Sequence, residues 1–275
     1  MRSGASGLQR RLKSVRSIEQ LTRAMKTVAI SKYNRTLQQL KAVRPYEEEL
    51  QRMAAHVAGA ADSPSSGSKV LFVVVTANRG LCGSYNTDLW NWFKAQVAQM
   101  SEPWQLYLAG HWGIERGKEQ MGDKVLKTVA ISDQPPPQEA DALAEDLQRL
   151  YATGEYSRVM LVSQRFENIL RQEPQSVQLL PREGREAQQG DLLILPDKAA
   201  MEAQLQERSF RMRVFALLLE AMAGAHGAML MAMRTANDNA ENMGREMERK
   251  LNRLRQSSVT TQVLELARSA AEPLD

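Results

Sequence analysis

The stretch FALLLEAMAGAHGAMLMAMRTANDNAENMGREM, Phe215 to Met247, decides the fold. Phe215, Leu219, Met222, His226, Met229, Met233, Ala236, Ala240, Met243 and Met247 follow one another at alternating steps of four and three. A seven-residue repeat held this long keeps one stripe of a helix turned toward a partner helix, since 3.5 residues per turn is the coiled-coil period. Beyond Met247 the register stutters to Leu251, Leu254 and Ser258. No proline interrupts the chain from Ala199 to Pro273, so one helix is expected over 199–272. At ~1.5 Å per residue it would reach ~100 Å, more than a domain of about 130 residues covers. It needs a partner of its own kind.

The N-terminal block supplies one. Leu8, Leu12, Val15, Ile18, Leu21, Met25 and Val28 fall at helical spacing within a helix expected over 1–58, with Pro45 expected to end or kink it nearby. Residues 59–68, GAADSPSSGS, read as a flexible linker. Paired antiparallel, the two terminal helices would make a stalk with a globular collar on its side. Residues 1–45 carry eleven Lys or Arg against one acid, Glu19, although the whole 275-residue chain has a net charge of only +4. Such asymmetry favours an acidic partner for this segment.

Between the helices, over 69–196, the period changes. The short apolar runs VLFVVV, WQLYLA, KVLKTVAI, RVMLVS, SVQLLP and DLLIL alternate with helical patterns at 84–100, 111–121 and 138–152. That is the pattern of a Rossmann-like α/β layer with a mostly parallel sheet. The last two runs are too close for a crossover helix, so an antiparallel edge is expected between them.

The run from Val70 continues into TANRGLCGSYN, a strand followed by a glycine loop and a helix start. Gly80 and Gly83 are three apart, without the lysine of a phosphate loop or the third glycine of a dinucleotide fingerprint. A tight turn is the simpler reading, and no nucleotide, metal or other cofactor is expected. Cys82 is the one cysteine, which points to a reducing compartment and excludes an intrachain disulfide. As a nucleophile it would need a base, and of His56, His111 and His226 only His111 is available; packing as a small hydrophobe is the simpler role. Three scattered histidines do not make a zinc site, and the acids of QEADALAEDLQ lack calcium-loop spacing. No run of 18 apolar residues occurs and the N-terminus lacks a secretory pattern, so a cytosolic chain is expected. The basic residues Arg10, Arg11, Lys13, Arg16, Arg23 and Lys26 leave open a coiled-coil protein that binds nucleic acid, although no aromatic residues are interleaved with them.

Three stretches together carry a resemblance. IEQLTRAMKTVAISK (18–32) is similar to T-x-A-M-x-x-V-A-x-x-K, and NRGLCGSYN to D-R-G-L-C-G-x-x-N. MAMRTANDNAENM with LNRLRQSSVTTQVLEL is similar to M-x-A-x-x-N-A-x-x-M followed by N-x-x-R-Q-x-S-I-T-x-E-x-x-E-I. In this order and at these positions the chain resembles the γ subunit of F-type ATP synthases over essentially its whole length. The resemblance implies a non-catalytic rotor shaft in a proton- or sodium-translocating machine. Its partners would be the α and β subunits, the ε subunit and the c ring, with no nucleic acid involved. It would lie peripherally at the cytoplasmic face of a bacterial inner membrane. By position in the motifs, Arg255 and Gln256 would hydrogen-bond carboxylates of a β loop, beside Thr260, and Met25 and Lys26 would pass the acidic levers of β. The chain departs from the family at Asn78, where Asp is usual, at Ser84, where a second Gly is usual, and at Met229, where Arg is common.

Overall fold

A computed structural model describes residues 2–57, 67–182 and 198–271. The chain divides into two units, one of Met1–Val28 with Ala232–Asp275, the other of Ala29–Met231.

In the larger unit five strands lie in the order β3-β2-β1-β4-β5, where β1 is Lys69–Val75, β2 Trp104–Ala109, β3 Val125–Val129, β4 Tyr156–Asn168 and β5 Arg171–Leu180. The first four are parallel, and β5 pairs antiparallel with β4. Helices α2 (Tyr85–Ala98), α3 (His111–Met121) and α4 (Pro137–Ala152) make the crossovers. The unbroken apolar run of β1 follows from its central place, since a strand covered on both faces has no polar side. Leu71, Val73 and Val75 meet α4 and the middle of helix α5 (Lys198–Ala271), while Val70, Phe72 and Val74 meet α2 and α3.

The antiparallel edge is real, but it joins RVMLVS to SVQLLP in a β4–β5 hairpin. The expected strand at 191–195 and most of the linker, 59–66, lie outside the described residues. The far end of this hairpin leaves the sheet and meets the long helices. Phe166 stacks edge-on against Tyr33 of helix α1 (Arg2–Val57), and its amide donates to Glu220 of α5 at 2.9 Å.

Helix α1 continues through Pro45 to Val57, so the proline does not end it. The proline removes one helical hydrogen bond and costs about 3 kcal/mol. Flanking contacts offset it: Leu40 and Leu50 are buried, Arg44 pairs with Glu220 at 3.3 Å, and buried Glu47 accepts from Arg213 at 3.1 Å. These pairs, with Tyr33 beside Gly227, run antiparallel along α1 and α5 within this unit. No unbroken run of 18 apolar residues occurs, but α5 contains an 18-residue window whose mean hydropathy, 1.6, would suit a bilayer. That window is 72% buried inside the protein, which accounts for its composition. From Val214 to Gly227 nearly every residue is buried, so this part of α5 is a core helix more than a two-helix seam.

In the smaller unit the expected seam holds only in part. Leu8, Leu12 and Val15 face inward, but Thr22 is the next fully buried residue of α1, and Ile18, Leu21 and Val28 are 51%, 59% and 53% exposed. On α5 the buried line runs Met233, Asn237, Ala240 and Gly244, and Met243 faces out at 48% exposure. Small side chains let the backbones approach: a Cβ on Gly244 would stand 3.9 Å from Val15. Arg16 pairs with Glu248 at 2.5 Å.

The turn from β2 into α3 gives a test of packing. Gly110 has φ of 97°, and a Cβ there would lie 2.2 Å from the Thr76 carbonyl oxygen. Gly110→Ala is expected to lower unfolding free energy by about 3 kcal/mol or more. Gly122→Ala, at helical dihedrals with open space around it, should be neutral or mildly stabilising. Urea denaturation of the two variants distinguishes them.

Candidate functional site

In an open α/β sheet a ligand sits outside the carboxyl ends of the strands, where the strand order reverses. Here that point lies between β1 and β4, and the chain itself fills it. Tyr85, fully buried at the start of α2, donates its hydroxyl to the Ala221 carbonyl of α5 at 2.6 Å. Gln164 of β4 donates to the Tyr85 carbonyl at 3.0 Å. Cys82, Ala77 and Tyr85 pack against Ala225, Ala228 and Met229 of α5. A Cβ on Gly224 would come 3.1 Å from the Tyr85 ring, which shows how closely the helix is seated.

Several amides around this point are also taken. Helix N-termini bind anions through unpaired backbone N–H groups. At α3, the His111 amide donates to Asn78 Oδ1 at 3.2 Å and the Gly113 amide to Thr76 Oγ1 at 2.9 Å. At β1, the Ala77 amide donates to Asn86 Oδ1 at 3.0 Å. The glycine loop is a turn that brings these side chains home. At its tip Leu81 has φ of 63° and an exposed side chain.

Cys82 is buried and its thiol is pushed up by burial, against hydrogen bonds that lower it. It donates weakly to the Arg79 carbonyl at 3.6 Å and accepts from Asn86, while His111 faces Glu115 at 3.5 Å. The pair does not form a nucleophile and base. Burial likewise pushes the Tyr85 phenol far up, helped by Cys82 and Glu220, so Tyr85 is a fixed donor.

Beside the filled crevice, just past β3, lies a polar cluster the sequence reading missed. Asp133 accepts from Lys32 Nζ of α1 and, at 2.9 Å, from Asn78 Nδ2, and its carbonyl oxygen is 2.8 Å from His226 Nε2 of α5. The signal was available: His226 stands in an apolar stripe, and a buried imidazole needs a polar partner. Burial raises the Asp133 carboxyl, but hydrogen bonds from Lys32 and Asn78 and the charges of Lys32 and His226 outweigh it, holding the group below its ordinary value. Burial pushes His226 below 6.5, opposed by the Asp133 carbonyl and carboxylate and assisted by Lys32.

The residues carried over from the motifs fall in two places in the smaller unit. Met25 and Lys26 are half-buried on α1. Arg255, Gln256 and Thr260 are exposed on α5, with Thr260 Oγ1 donating to the Gln256 carbonyl at 2.9 Å. Met25 and Lys26 lie near the seam, whereas the three on α5 face outward.

A Rossmann-like sheet that seats its own helix where a cofactor would lie, in a chain whose helices turn apolar side chains outward, defines a subunit built for assembly. The chain belongs to the ATP synthase family, whose pattern its residues 5–272 match. The ATP synthase gamma chain of Desulfitobacterium hafniense is 30% identical over 277 residues, covering 98% of this chain and 99% of that one. The ATP synthase gamma chain of Moorella thermoacetica is 32% identical over 274 residues, covering 96% of each. Among solved structures, a rotor chain of the Euglena gracilis mitochondrial ATP synthase covers 94% of this chain and all of its own length, with TM-score 0.69 at 17% identity. That likeness establishes the fold. The nucleic-acid alternative finds no support in these relatives.

The buried histidine predicts a pH dependence. His226 is held neutral in the folded chain and protonates freely once unfolded, so unfolding takes up a proton below 6.5. Its contribution to stability is full above that pH and is lost as pH falls further. Denaturant midpoints of the natural chain should therefore decline from pH 7 to pH 5 more steeply than those of His226→Gln. Equal slopes would show that His226 is not the group responsible.

Proposed function

We propose that this chain is the central-stalk rotor subunit of a rotary ATP synthase. It couples ion-driven turning of a membrane ring of c subunits to conformational change in the catalytic β subunits, and has no catalytic centre of its own. The supporting observation is the outward apolar stripe of α1 in the smaller unit, Ile18, Leu21 and Val28. Contiguous exposed apolar surface marks a binding face, and a sleeve of α and β subunits would cover it.

A rotor can shift an equilibrium among catalytic sites only by contacting their conformations unequally. Two unlike helices present each β subunit with a different surface at each angle, so turning changes which site is held open. In this reading the functional divisions are the helices of 1–58 and 199–272, the linker of 59–68, and an α/β body of 69–196 facing ε and the c ring. Arg255 and Gln256 hydrogen-bond carboxylates of a β loop, for which the planar guanidinium is well suited, and Thr260 lies one turn on. Met25 and Lys26 pass the acidic levers of β. The subunit is peripheral, held at the cytoplasmic face of a bacterial inner membrane through the complex.

Two experiments test this. Substituting Ile18, Leu21 and Val28 together by Ser should leave the isolated chain as stable as before, because these side chains are exposed. It should weaken association with the α and β subunits about tenfold or more; unchanged affinity would overturn the assignment of this face. Arg255→Ala should reduce ATP-driven ion transport by the assembled enzyme about tenfold through loss of a charge-assisted hydrogen bond. Arg255→Lys should recover part of it, and transport at the parental rate in both would remove Arg255 from the contact.

A further inference from the structure

We propose that Asp133 is a torque-bearing latch, a residue through which the α/β body grips both long helices; the inference rests on the rotor reading above. A rotor driven from its globular body must pass rotation to its helices through contacts that do not slip. Most contacts between them in this unit are apolar packing of small and flexible side chains, as at Ala221, Met222 and Ala223 against the sheet. Such packing is strong in burial but non-directional, so it resists separation better than it resists sliding.

Directional ties to α5 also run from Tyr85 to Ala221, Phe166 to Glu220 and Glu145 to Arg211, but Asp133 engages both long helices from the body itself. One residue bonds α1 through Lys32, α5 through His226 and the end of β1 through Asn78. Asn78 in turn donates to the Ile131 carbonyl at 2.5 Å and accepts from the His111 amide. The cluster therefore reaches both helices, two strand ends and the start of α3. Hydrogen bonds and charge pairs fix position along and around an axis in a way that packing does not.

The segment that carries Asp133 is built stiff. Pro135, Pro136 and Pro137 follow it, fixing their own φ and restricting the residues before them. The Ser132 amide donates to Glu139 Oε2 in the first turn of α4 at 2.9 Å, and Ile131 is buried. A latch on a soft loop would yield under load; this one is anchored on both sides. The departure at position 78 fits the same picture. An Asp there would set a second carboxylate 2.9 Å from Asp133, where like charges repel, whereas the Asn78 amide donates to it.

The test uses the assembled ATP synthase in membrane vesicles, measuring ions pumped per ATP hydrolysed. Asp133→Asn keeps the shape but removes the charge, and Lys32→Gln removes the same pair from the helix side. Both should assemble and hydrolyse ATP, and both should pump about twofold or more fewer ions per ATP. Asp146→Asn is the control, since its polar partners Lys127, Tyr107 and Arg149 lie in the sheet and in α4; it should remain fully coupled. The exchange Lys32→Asp with Asp133→Lys should restore part of the coupling. If Asp133→Asn and Lys32→Gln pump as the parent does, the latch is overturned while the rotor reading stands. If losses in Asp146→Asn match theirs, the effect is one of general stability and the latch is again overturned. Failure of the unsubstituted chain to assemble with α and β subunits would instead sink the rotor reading, and the latch with it.

Discussion

Tyr85 donates its hydroxyl to the backbone of α5 at 2.6 Å, and Gly224 presents only a hydrogen to the face of the same ring. The helix therefore sits close against the carboxyl ends of β1 and β4. Around that contact the neighbouring choices become intelligible. Alanines and glycines crowd α5 between Ala221 and Ala228 because larger side chains would lift it off the sheet. Cys82 contributes a small apolar volume and Asn86 closes the turn below it. A fold that elsewhere holds nucleotides is here closed by its own chain, and fold alone would have misled about function.

The same helix follows two different packing rules along its length. Between Val214 and Gly227 it is buried on nearly all sides, and its identity as a core helix explains a hydropathy that would suit a bilayer. In the smaller unit its buried line is Met233, Asn237, Ala240 and Gly244, narrow and partly polar. Facing it on α1 are Val15, Thr22 and, at half burial, Met25 and Lys26. Little apolar area is removed from water in such a seam, and at ~25 cal/mol per Å² the pairing gains little from burial. Ile18, Leu21, Val28 and Met243 point the other way.

That inversion explains what could be read from sequence and what could not. The strands were legible because an apolar run bounded by turn residues has one physical reading once helices alternate with it. The helix limits at 111–121 and near 138–152 followed from the same periodicity. The seam of α1 was misread in part because Ile18, Leu21 and Val28 also recur at helical spacing. Periodicity shows that one stripe is apolar but not whether it faces a neighbouring helix or a separate chain. The ending expected near Pro45 did not occur because local propensity was weighed without the burial of Leu40 and Leu50 and the seating of buried Glu47 against Arg213. The motif residues Arg255, Gln256 and Thr260 could be placed only by family pattern, since exposed polar side chains on a helix carry no periodic signal. Asp133 gave still less warning, being a lone acid before three prolines.

The basic N-terminal segment looks different once its partners are visible. Its excess charge suggested a wholly external acidic surface. Yet Arg16 and Arg44 pair with Glu248 and Glu220 of α5, Lys32 with Asp133, and Arg23 with Glu19 of its own helix. Four of the eleven basic residues are thus matched within the chain. Exposed pairs of this sort contribute little stability, of order 0–1 kcal/mol each, so their main effect is on where charge remains. Arg44 and Lys32 serve the larger unit, holding α1 to α5 and to the sheet. The charge left for a partner is then concentrated toward the start of α1, on the segment that also carries the outward Ile18 and Leu21. An apolar strip bordered by cations suits a partner surface that is apolar at its centre and acidic at its rim. That description is narrower than the net charge alone allowed.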